Sequence, residues 1–164
     1  MPTEILRVVF DCNIFLQALL NPNGVAAKCV EAVRSGNAKL FVSKATLEEI
    51  RDVILRPNIL SRLPDADEFQ IESFIEHIIN ISAFIDSVPH KFDFERDPKD
   101  EIIIDLAVEA EADYIVSRDN DLLDLMTGYT DECKNFRRRF RGLKIVNPVE
   151  FLAIIESEIK NETQ

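Results

Sequence analysis

The sequence predicts an α/β fold of three layers (α/β/α), with helices on both faces of a central, mostly parallel sheet. Short apolar segments alternate with longer amphipathic segments along the chain, which is typical of strands connected by helices. The strand segments are apolar at nearly every position, as strands are when both faces of the sheet are covered. The 164 residues, 46% of them hydrophobic, are expected to form one domain over residues 1–164.

The first half of the chain contains clear boundary signals. The segment from Ile5 to Phe10 is short, apolar and rich in β-branched residues, which indicates a buried strand. A turn at 21–24 (Asn-Pro-Asn-Gly) separates two helical segments, and Ser43 can cap the helix that follows the second apolar run. Apolar residues at helical spacing indicate a long helix after that. The predicted elements are strand 5–10, helix 13–20, helix 25–34, strand 40–42, helix 43–55 and helix 65–84.

The second half shows the same alternation. Asp97-Pro98 marks the start of a helix, because an acid is a common cap and proline is favoured at the first helical position. Two more short apolar runs indicate buried strands, each followed by a helical segment. The predicted elements are an extended stretch near Val88, helix 97–112, strand 114–117, helix 121–126, strand 143–146 and helix 148–159.

The chain is acidic, with 30 acids against 19 bases and a net charge of −11. This charge argues against a protein that coats nucleic acids regardless of sequence, because it repels the phosphate backbone. Residues 134–144 are the exception, with six bases and no acid. This basic stretch either contacts an RNA backbone and unpaired bases, or is a solvated loop that two phenylalanines anchor to the core. The first interpretation assigns RNA binding to Arg137, Arg138, Arg139, Arg141 and Phe136.

The sequence favours a cytoplasmic location without membrane contact. No apolar run approaches the roughly 20 residues of a spanning helix. Residues 1–4 lack the basic start of a signal peptide. The three cysteines, Cys12, Cys29 and Cys133, are odd in number and widely spaced, so a reducing compartment is expected rather than a disulfide framework.

Acids follow two of the predicted strands. Asp11 comes directly after the first strand, and Asp119 and Asp121 follow the strand at 114–117. Ligand sites in parallel sheets lie beyond the carboxyl ends of the strands, so these side chains are expected at one edge. Each aspartate alone could equally be a helix cap, but one cap per helix is enough.

Two predicted helices carry further acids beside their apolar stripes. At about 100° per residue, Glu49 lies at the edge of the stripe of its helix, whereas Glu48 lies opposite. Asp100 lies at the edge of the stripe of the helix that begins near Asp97, and Asp105 lies off that stripe. Glu49 could instead be an exposed residue that pairs with a lysine or an arginine. Asp97 is the expected helix cap, and Asp100 could interact favourably with the helix dipole.

Asp11, Glu49, Asp100 and Asp119 are thus expected to point into one crevice. Clustered carboxylates repel one another unless a cation neutralises them, and Mg²⁺ or Mn²⁺ prefers oxygen ligands. Zinc is disfavoured because the two histidines have no spaced partner, and no Gly-x-Ser-x-Gly or Cys–His pair favours covalent catalysis. Cys12 is expected to pack beneath the site. A cation held by carboxylates suits phosphodiester hydrolysis by an activated water.

Taken in order, these motifs resemble the PIN domain. The resemblance covers nearly the whole chain, and the segments that carry it are 9–13, 47–50, 97–100, 106–107, 114–123 and 148–152. The chain looks most like the stand-alone bacterial members that are toxin components of toxin–antitoxin pairs. The resemblance implies a central parallel sheet flanked by helices and a metal-dependent endoribonuclease that cleaves single-stranded RNA.

The resemblance also implies roles for individual residues. The family's acids, which would be both catalytic residues and ligands of Mg²⁺ or Mn²⁺, fall on Asp11, Glu49, Asp100 and Asp119. The supporting polar positions are Asn13, Asp121 and Asp97. Members of this branch are often homodimers that an antitoxin holds inactive, so a second copy and an antitoxin protein are expected partners beside RNA.

Three other classes of protein are less consistent with these motifs. A haloacid-dehalogenase-type phosphohydrolase needs a second aspartate two residues after the first, where this chain has Asn13. A receiver-like signalling domain needs a lysine after one of its last strands, whereas in this chain Lys44 follows the second strand. A PIN fold used as a non-catalytic protein-binding module stays an open alternative, and the intact set of acids argues for catalysis.

Overall fold

Five parallel strands form one sheet at the centre of the protein. The computed structural model describes residues 5–63 and 67–162. The sheet has the order β3-β2-β1-β4-β5, and each neighbouring pair is parallel. The strands are β1 (Leu6–Phe10), β2 (Ala38–Ser43), β3 (Ser82–Ile85), β4 (Tyr114–Val116) and β5 (Lys144–Val146).

Helices connect and cover these strands. The helices of the first half are α1 (Cys12–Leu20), α2 (Val25–Arg34), α3 (Lys44–Ile54), α4 (Pro57–Leu60) and α5 (Glu68–Ile81). Those of the second half are α6 (Glu101–Glu109), α7 (Asn120–Leu123), α8 (Asp131–Arg139) and α9 (Pro148–Glu162). Short 3-10 turns precede α6 at Pro98–Asp100 and follow α7 at Asp124–Met126. No helix in the described residues is long and apolar enough to cross a membrane.

The strand order brings the ends of β1 and β4 together. The chain builds the sheet outwards from β1 through β2 to β3, and then returns to place β4 on the other side of β1. Phe10 of β1 pairs with Val116 of β4, and the amide of Asp11 donates to the carbonyl of Val116 at 3.0 Å. The residues that follow these two strands therefore meet where the strand order reverses, which is where open α/β sheets bind ligands.

Both faces of the sheet are buried, which confirms the predicted three layers. Val8 and Phe10 point into a core formed with α1, α2, α3, α5 and α9. Val9, between them, points into a second core formed with α6, α7, α8 and the phenylalanines at 92 and 94. This alternation explains why the strand segments are apolar at successive positions.

Local signals in the sequence act as predicted at several boundaries. The Ser43 hydroxyl accepts a hydrogen bond from the amide of Thr46 at 3.2 Å, and the Thr46 hydroxyl accepts one from the amide of Ser43 at 2.9 Å. This reciprocal cap starts α3. Gly24 ends the predicted turn and precedes α2, and Pro98 occupies the first position of its 3-10 turn.

The helix predicted over residues 65–84 is shorter than expected, and Asp65 lies outside the described residues. The helix α5 ends at Ile81, and residues 82–85 form the edge strand β3 beside β2, with Phe41 opposite Ala83. Helical spacing of apolar residues continues past Ile81, but pairing with the exposed edge of β2 decides the structure there. Residues 87–94, including Val88, form no helix or strand.

The sequence analysis did not predict the helix that includes part of the basic stretch. The helix α8 begins after Thr130, whose side chain accepts from the amide of Cys133 at 3.2 Å, and it ends with Arg137 to Arg139 in its last turn. Bases at this end of a helix interact favourably with its dipole.

Residues 1–4, on which the expectation about a signal peptide rests, lie outside the described residues.

Candidate metal centre

Three carboxylates from separate elements meet at the edge of the sheet. Asp11 follows β1, Asp119 follows β4, and Asp100 ends the 3-10 turn before α6. One oxygen of each carboxylate lies within 4.8 Å of one oxygen of each of the others. The structure therefore brings together three of the four acids that the sequence predicts as metal ligands; Asp11, Asp100 and Asp119 are called the acid cluster below.

Ser117, at the end of β4, connects two members of the acid cluster. Its hydroxyl donates to Asp11 Oδ2 at 2.7 Å and accepts a hydrogen bond from the amide of Asp119 at 2.9 Å. Asp11 is only 4% exposed, and this burial raises its pKa, with Asp119 adding to the effect and the Ser117 hydroxyl opposing it. The sequence analysis gave Ser117 no role, although a hydroxyl residue at the end of a central strand is a signal for one.

Asp100 is the member of the acid cluster with a buried carboxylate oxygen that receives no hydrogen bond from the described residues. It is 7% exposed, and its Oδ2 is buried without a hydrogen-bond partner in the described residues. Burial raises the pKa of Asp100 to about 9, and the neighbouring Asp119 and Asp11 carboxylates contribute. A buried carboxylate oxygen without a donor is unfavourable by itself and becomes favourable when a cation binds it.

Glu49 lies at the side of the acid cluster on α3. Its Oε1 accepts from the Cys12 thiol at 3.7 Å, and its Oε2 is buried with no hydrogen-bond partner among the described residues. Burial and the Asp11 charge raise the pKa of Glu49. Glu48 is 61% exposed and pairs with Lys44. The helical angles thus predicted correctly which of the two glutamates turns inward.

Cys12 packs beneath the site, as expected. The residue is buried, and burial among Asp11, Glu49 and Asp100 raises the pKa of its thiol well above the usual range. The protonated thiol can therefore donate to Glu49 but does not act as a nucleophile.

Asp97, Asp119 and Asp121 form a second group of carboxylates that overlaps the first, again within 4.8 Å of one another. Asp119 caps α7 by accepting from the amide of Asp121 at 2.9 Å. Asp121 pairs with Arg96 at 2.6 Å. Asp97 was predicted to cap a helix; it precedes a 3-10 turn instead, and its side chain makes no capping hydrogen bond in the described residues. Asn13 is exposed and makes no side-chain hydrogen bond in the described part of the chain.

Two residues of the basic stretch, Phe136 and Arg137, hold the fold together. Phe136 is fully buried and packs edge to face against Phe92 and Phe140, so the prediction that it stacks on RNA bases is wrong. Arg137 donates to the carbonyls of Leu125 and Gly128 at 2.7 and 2.8 Å. These contacts agree better with the alternative interpretation, in which phenylalanines anchor the stretch.

The remaining arginines of the stretch are not gathered at the acid cluster. Arg139 donates to the carbonyl of Lys91 at 2.7 Å and stacks 4.9 Å from the centre of the Phe140 ring. Arg138 donates to Asn135 at 3.1 Å. Arg141 is exposed and precedes the amino end of β5, whereas the acids lie beyond the carboxyl ends of the strands. Arg141 therefore lies towards the opposite edge of the sheet.

Asp105 is a buried acid of a different kind. The sequence places it off the apolar stripe of its helix, but it is buried. Its Oδ1 accepts from the amides of Lys91 and Phe92 at 2.9 and 3.1 Å, and its Oδ2 pairs with His90 Nδ1 at 2.8 Å. These bonds attach the irregular segment 87–94 to α6, which gives Asp105 a structural role.

The comparisons with known proteins agree with this geometry. A family model described as PIN domain matches residues 7–121. The matched segment contains Asp11, Glu49, Asp100, Ser117 and Asp119. An uncharacterized protein of Methanocaldococcus jannaschii is 30% identical over 154 residues, which cover 94% of this chain and 94% of that protein.

Proposed function

This chain belongs to the PIN domain family, whose members are generally nucleases, and we propose that it is a metal-dependent endoribonuclease acting on single-stranded RNA. The observation that carries the proposal is the buried Oδ2 of Asp100, which has no hydrogen-bond partner among the described residues and lies beside Asp11 and Asp119. A fold that keeps such an oxygen without a donor retains a binding site for a cation.

Asp11, Asp100 and Asp119 fit Mg²⁺ or Mn²⁺, because they offer carboxylate oxygens close together and neither imidazole nor thiolate. These three residues would hold the ion. When bound, it supplies positive charge to the reacting phosphate and lowers the pKa of a water molecule.

The protein's own groups have separate tasks in this proposal. Ser117 is a positioning residue, because its hydroxyl fixes the carboxylate of Asp11 and the backbone of Asp119. Glu49 keeps one buried oxygen without a partner among the described residues, which offers an acceptor beside the acid cluster for the proton of the attacking water. Asp97 adds a further carboxylate beside Asp119, whereas the charge of Asp121 is balanced by Arg96.

The toxin role, the antitoxin partner, the homodimer and the cytoplasmic location stay predictions that rest on the resemblance to stand-alone toxins and on the cysteine pattern. RNA rather than DNA as substrate rests on the same resemblance. The alternative of a non-catalytic binding module is disfavoured by the acid cluster, since an idle site would gain stability by replacing Asp100 with a neutral residue.

The test is cleavage of a labelled single-stranded RNA by the metal-loaded protein. Wild type in Mg²⁺ or Mn²⁺ should cleave and wild type in EDTA should not. Asp11→Asn and Asp100→Asn should reduce the rate by about 100-fold or more, since each removes a charge that the site uses in the transition state. Glu49→Gln should also slow cleavage, because it removes the proposed proton acceptor. Glu48→Gln is its matched control and should cleave like wild type, because it removes an exposed carboxylate from the neighbouring position.

The outcomes separate the candidate functions. Metal-dependent cleavage that both aspartate variants lose supports the proposal. Metal binding in calorimetry without cleavage of any single-stranded RNA contradicts the ribonuclease proposal. Absence of both metal binding and cleavage favours the protein-binding module.

A further inference from the structure

A cleft of about 500 Å³ lies at the same edge of the sheet as the acid cluster, over the ends of β4 and β5. Arg118 follows β4 and Asn147 follows β5, while Gln17 and Asn21 come from the end of α1. The cleft is separate from the acids, since none of the described residues that line it is acidic.

Arg118 joins this cleft to the acid cluster. It stands between Ser117, which binds Asp11, and Asp119, which is itself a cluster member. Successive Cα atoms are about 3.8 Å apart, so the wall of the cleft begins one residue from the proposed metal ligands. A chain of nucleotides that crosses the acid cluster therefore has the cleft beside it.

The charge of the cleft differs from that of the rest of the protein. Arg118 is exposed and has no hydrogen-bond or ion-pair partner in residues 5–63 and 67–162, whereas Arg96 and Arg137 are held by acids and carbonyls. In a chain of net charge −11, an unpaired guanidinium beside the candidate active site is a specific feature. Its planar donors match the oxygens of a phosphate.

The remaining lining suits a nucleobase. Val25 and Val149 offer exposed apolar surface at the cleft, and the Gln17 and Asn21 side chains make no hydrogen bond within the described chain. Asn147 accepts from the amide of Glu150 at 2.8 Å through its Oδ1, which leaves its amide group as a donor. Carboxamides recognise the edges of bases, and apolar walls accept their faces.

We propose that this cleft binds one nucleotide of the RNA strand, next to the phosphate that is cleaved. Arg118 contacts a phosphate, and Gln17, Asn21 and Asn147 contact the base. The volume lies within the range of small-ligand sites, which is roughly 300–1,000 Å³. The inference rests on the proposed ribonuclease function for the identity of the ligand, but it concerns binding rather than chemistry.

The experiment measures binding in EDTA, where no metal-dependent cleavage occurs. A fluorescently labelled single-stranded RNA is titrated with wild type, Arg118→Gln and Val149→Glu over a range of salt concentrations. Val149 is 65% exposed, and a glutamate in the first turn of α9 interacts favourably with the helix dipole, so this variant should fold. Arg34→Gln is the control, since it removes an exposed arginine paired with Glu31 at the far end of α2, about 12 Å along the helix from the cleft residue Ala26.

Arg118→Gln should weaken RNA binding about tenfold, as expected for loss of a charged hydrogen bond, and reduce the salt slope of log K by about 0.7. Val149→Glu should weaken binding as well, because it adds an acid to the cleft. Arg34→Gln should match wild type in both quantities. A nucleoside monophosphate should compete with the RNA better than inorganic phosphate does.

Unchanged affinity and salt slope in Arg118→Gln would overturn the proposal, and so would absence of RNA binding by wild type. Equal competition by inorganic phosphate would overturn the assignment of a base site. Mn²⁺ binding, followed separately by calorimetry, should be the same in all four proteins. If wild type fails to cleave RNA but the two cleft variants lose RNA binding, the ribonuclease proposal fails and the cleft assignment stands.

Discussion

Two buried aspartates, five residues apart around the start of α6, have opposite surroundings. Asp105 receives two backbone amides and pairs with His90, whereas Asp100 keeps Oδ2 without a partner among the described residues. Both are less than 8% exposed. Burial alone therefore does not distinguish a structural acid from a functional one; the donors around each carboxylate do.

The same contrast separates the arginines. Arg137 donates to the carbonyls of residues 125 and 128, and Arg139 stacks on Phe140. Arg118 has no such partner in the described residues and stands beside the acid cluster. The contacts of Arg137 and Arg139 stabilise the fold, whereas the position of Arg118 next to the acid cluster makes it available to a ligand.

Asp105→Ala should give the largest effect on folding. It leaves the amides of Lys91 and Phe92 without their acceptor and removes the partner of His90, and we expect a loss of about 3 kcal/mol in the free energy of unfolding. Urea denaturation of the metal-free protein measures it. Asp93→Asn, which removes the exposed partner of His90, is the control and should cost far less. Equal losses in both variants would contradict the structural role of Asp105.

Added Mg²⁺ or Mn²⁺ should stabilise wild type through the acid cluster. At a concentration about 100 times the dissociation constant, the gain is about 2.7 kcal/mol. Thermal unfolding with and without the ion measures it, and Asp100→Asn should abolish most of the gain while Asp105→Ala should retain it. Equal stabilisation of wild type and Asp100→Asn would place the ion elsewhere.

Asp100→Asn should stabilise the metal-free protein, opposite in sign to Asp105→Ala. The pKa of Asp100 is raised by burial to about 9 in the folded protein, so ionisation opposes folding as the pH rises above about 4. The variant should gain about 1–2 kcal/mol at pH 8 and almost nothing below about pH 3, where the carboxyl is largely protonated in both states. Denaturation at several pH values tests this, and a loss of stability at pH 8 would show that Asp100 is a structural acid.

The ion pairs of His90 should give the smallest effect, because its ring is half exposed. Asp93 and Asp105 raise the pKa of His90 to about 9. Protonated His90 therefore stabilises the fold below its unfolded pKa of about 6.5, and this contribution is lost as the pH rises through 9. Wild type and His90→Asn should differ in melting temperature at pH 6 and converge near pH 10. A constant difference across this range would rule out a contribution from the charge.

Much of the fold was predictable from local patterns. The strand at 5–10 and the cap at Ser43 are read from adjacent residues, and the structure confirms both. The helix predicted over 97–112 begins instead as a 3-10 turn at Pro98–Asp100 and continues as α6 to Glu109. The strand β3 was not predictable in this way, because its structure depends on pairing with β2. The helix α8 was missed because the basic residues of its last turns resemble a solvated loop.

The site was predictable where it depends on strand ends and helical angles. Asp11 and Asp119 follow strands that are far apart in sequence but adjacent in the sheet, and the position of Glu49 rather than Glu48 follows from the helix period. The role of the basic stretch was predicted wrongly for Phe136 because composition does not show which face of a helix is buried.

The sequence by itself determined the class of fold, the family and the acids that follow β1 and β4, since these depend on residue type and on spacing along the chain. Only the tertiary structure decided which charges are satisfied. Asp100 and Asp105 have the same side chain on neighbouring turns, yet the irregular segment 87–94 brings two amides and a histidine to Asp105, whereas Asp100 faces other acids. Donors that arrive from distant parts of the chain leave no local signal, so the distinction between a structural and a functional carboxylate appears only when the chain is folded.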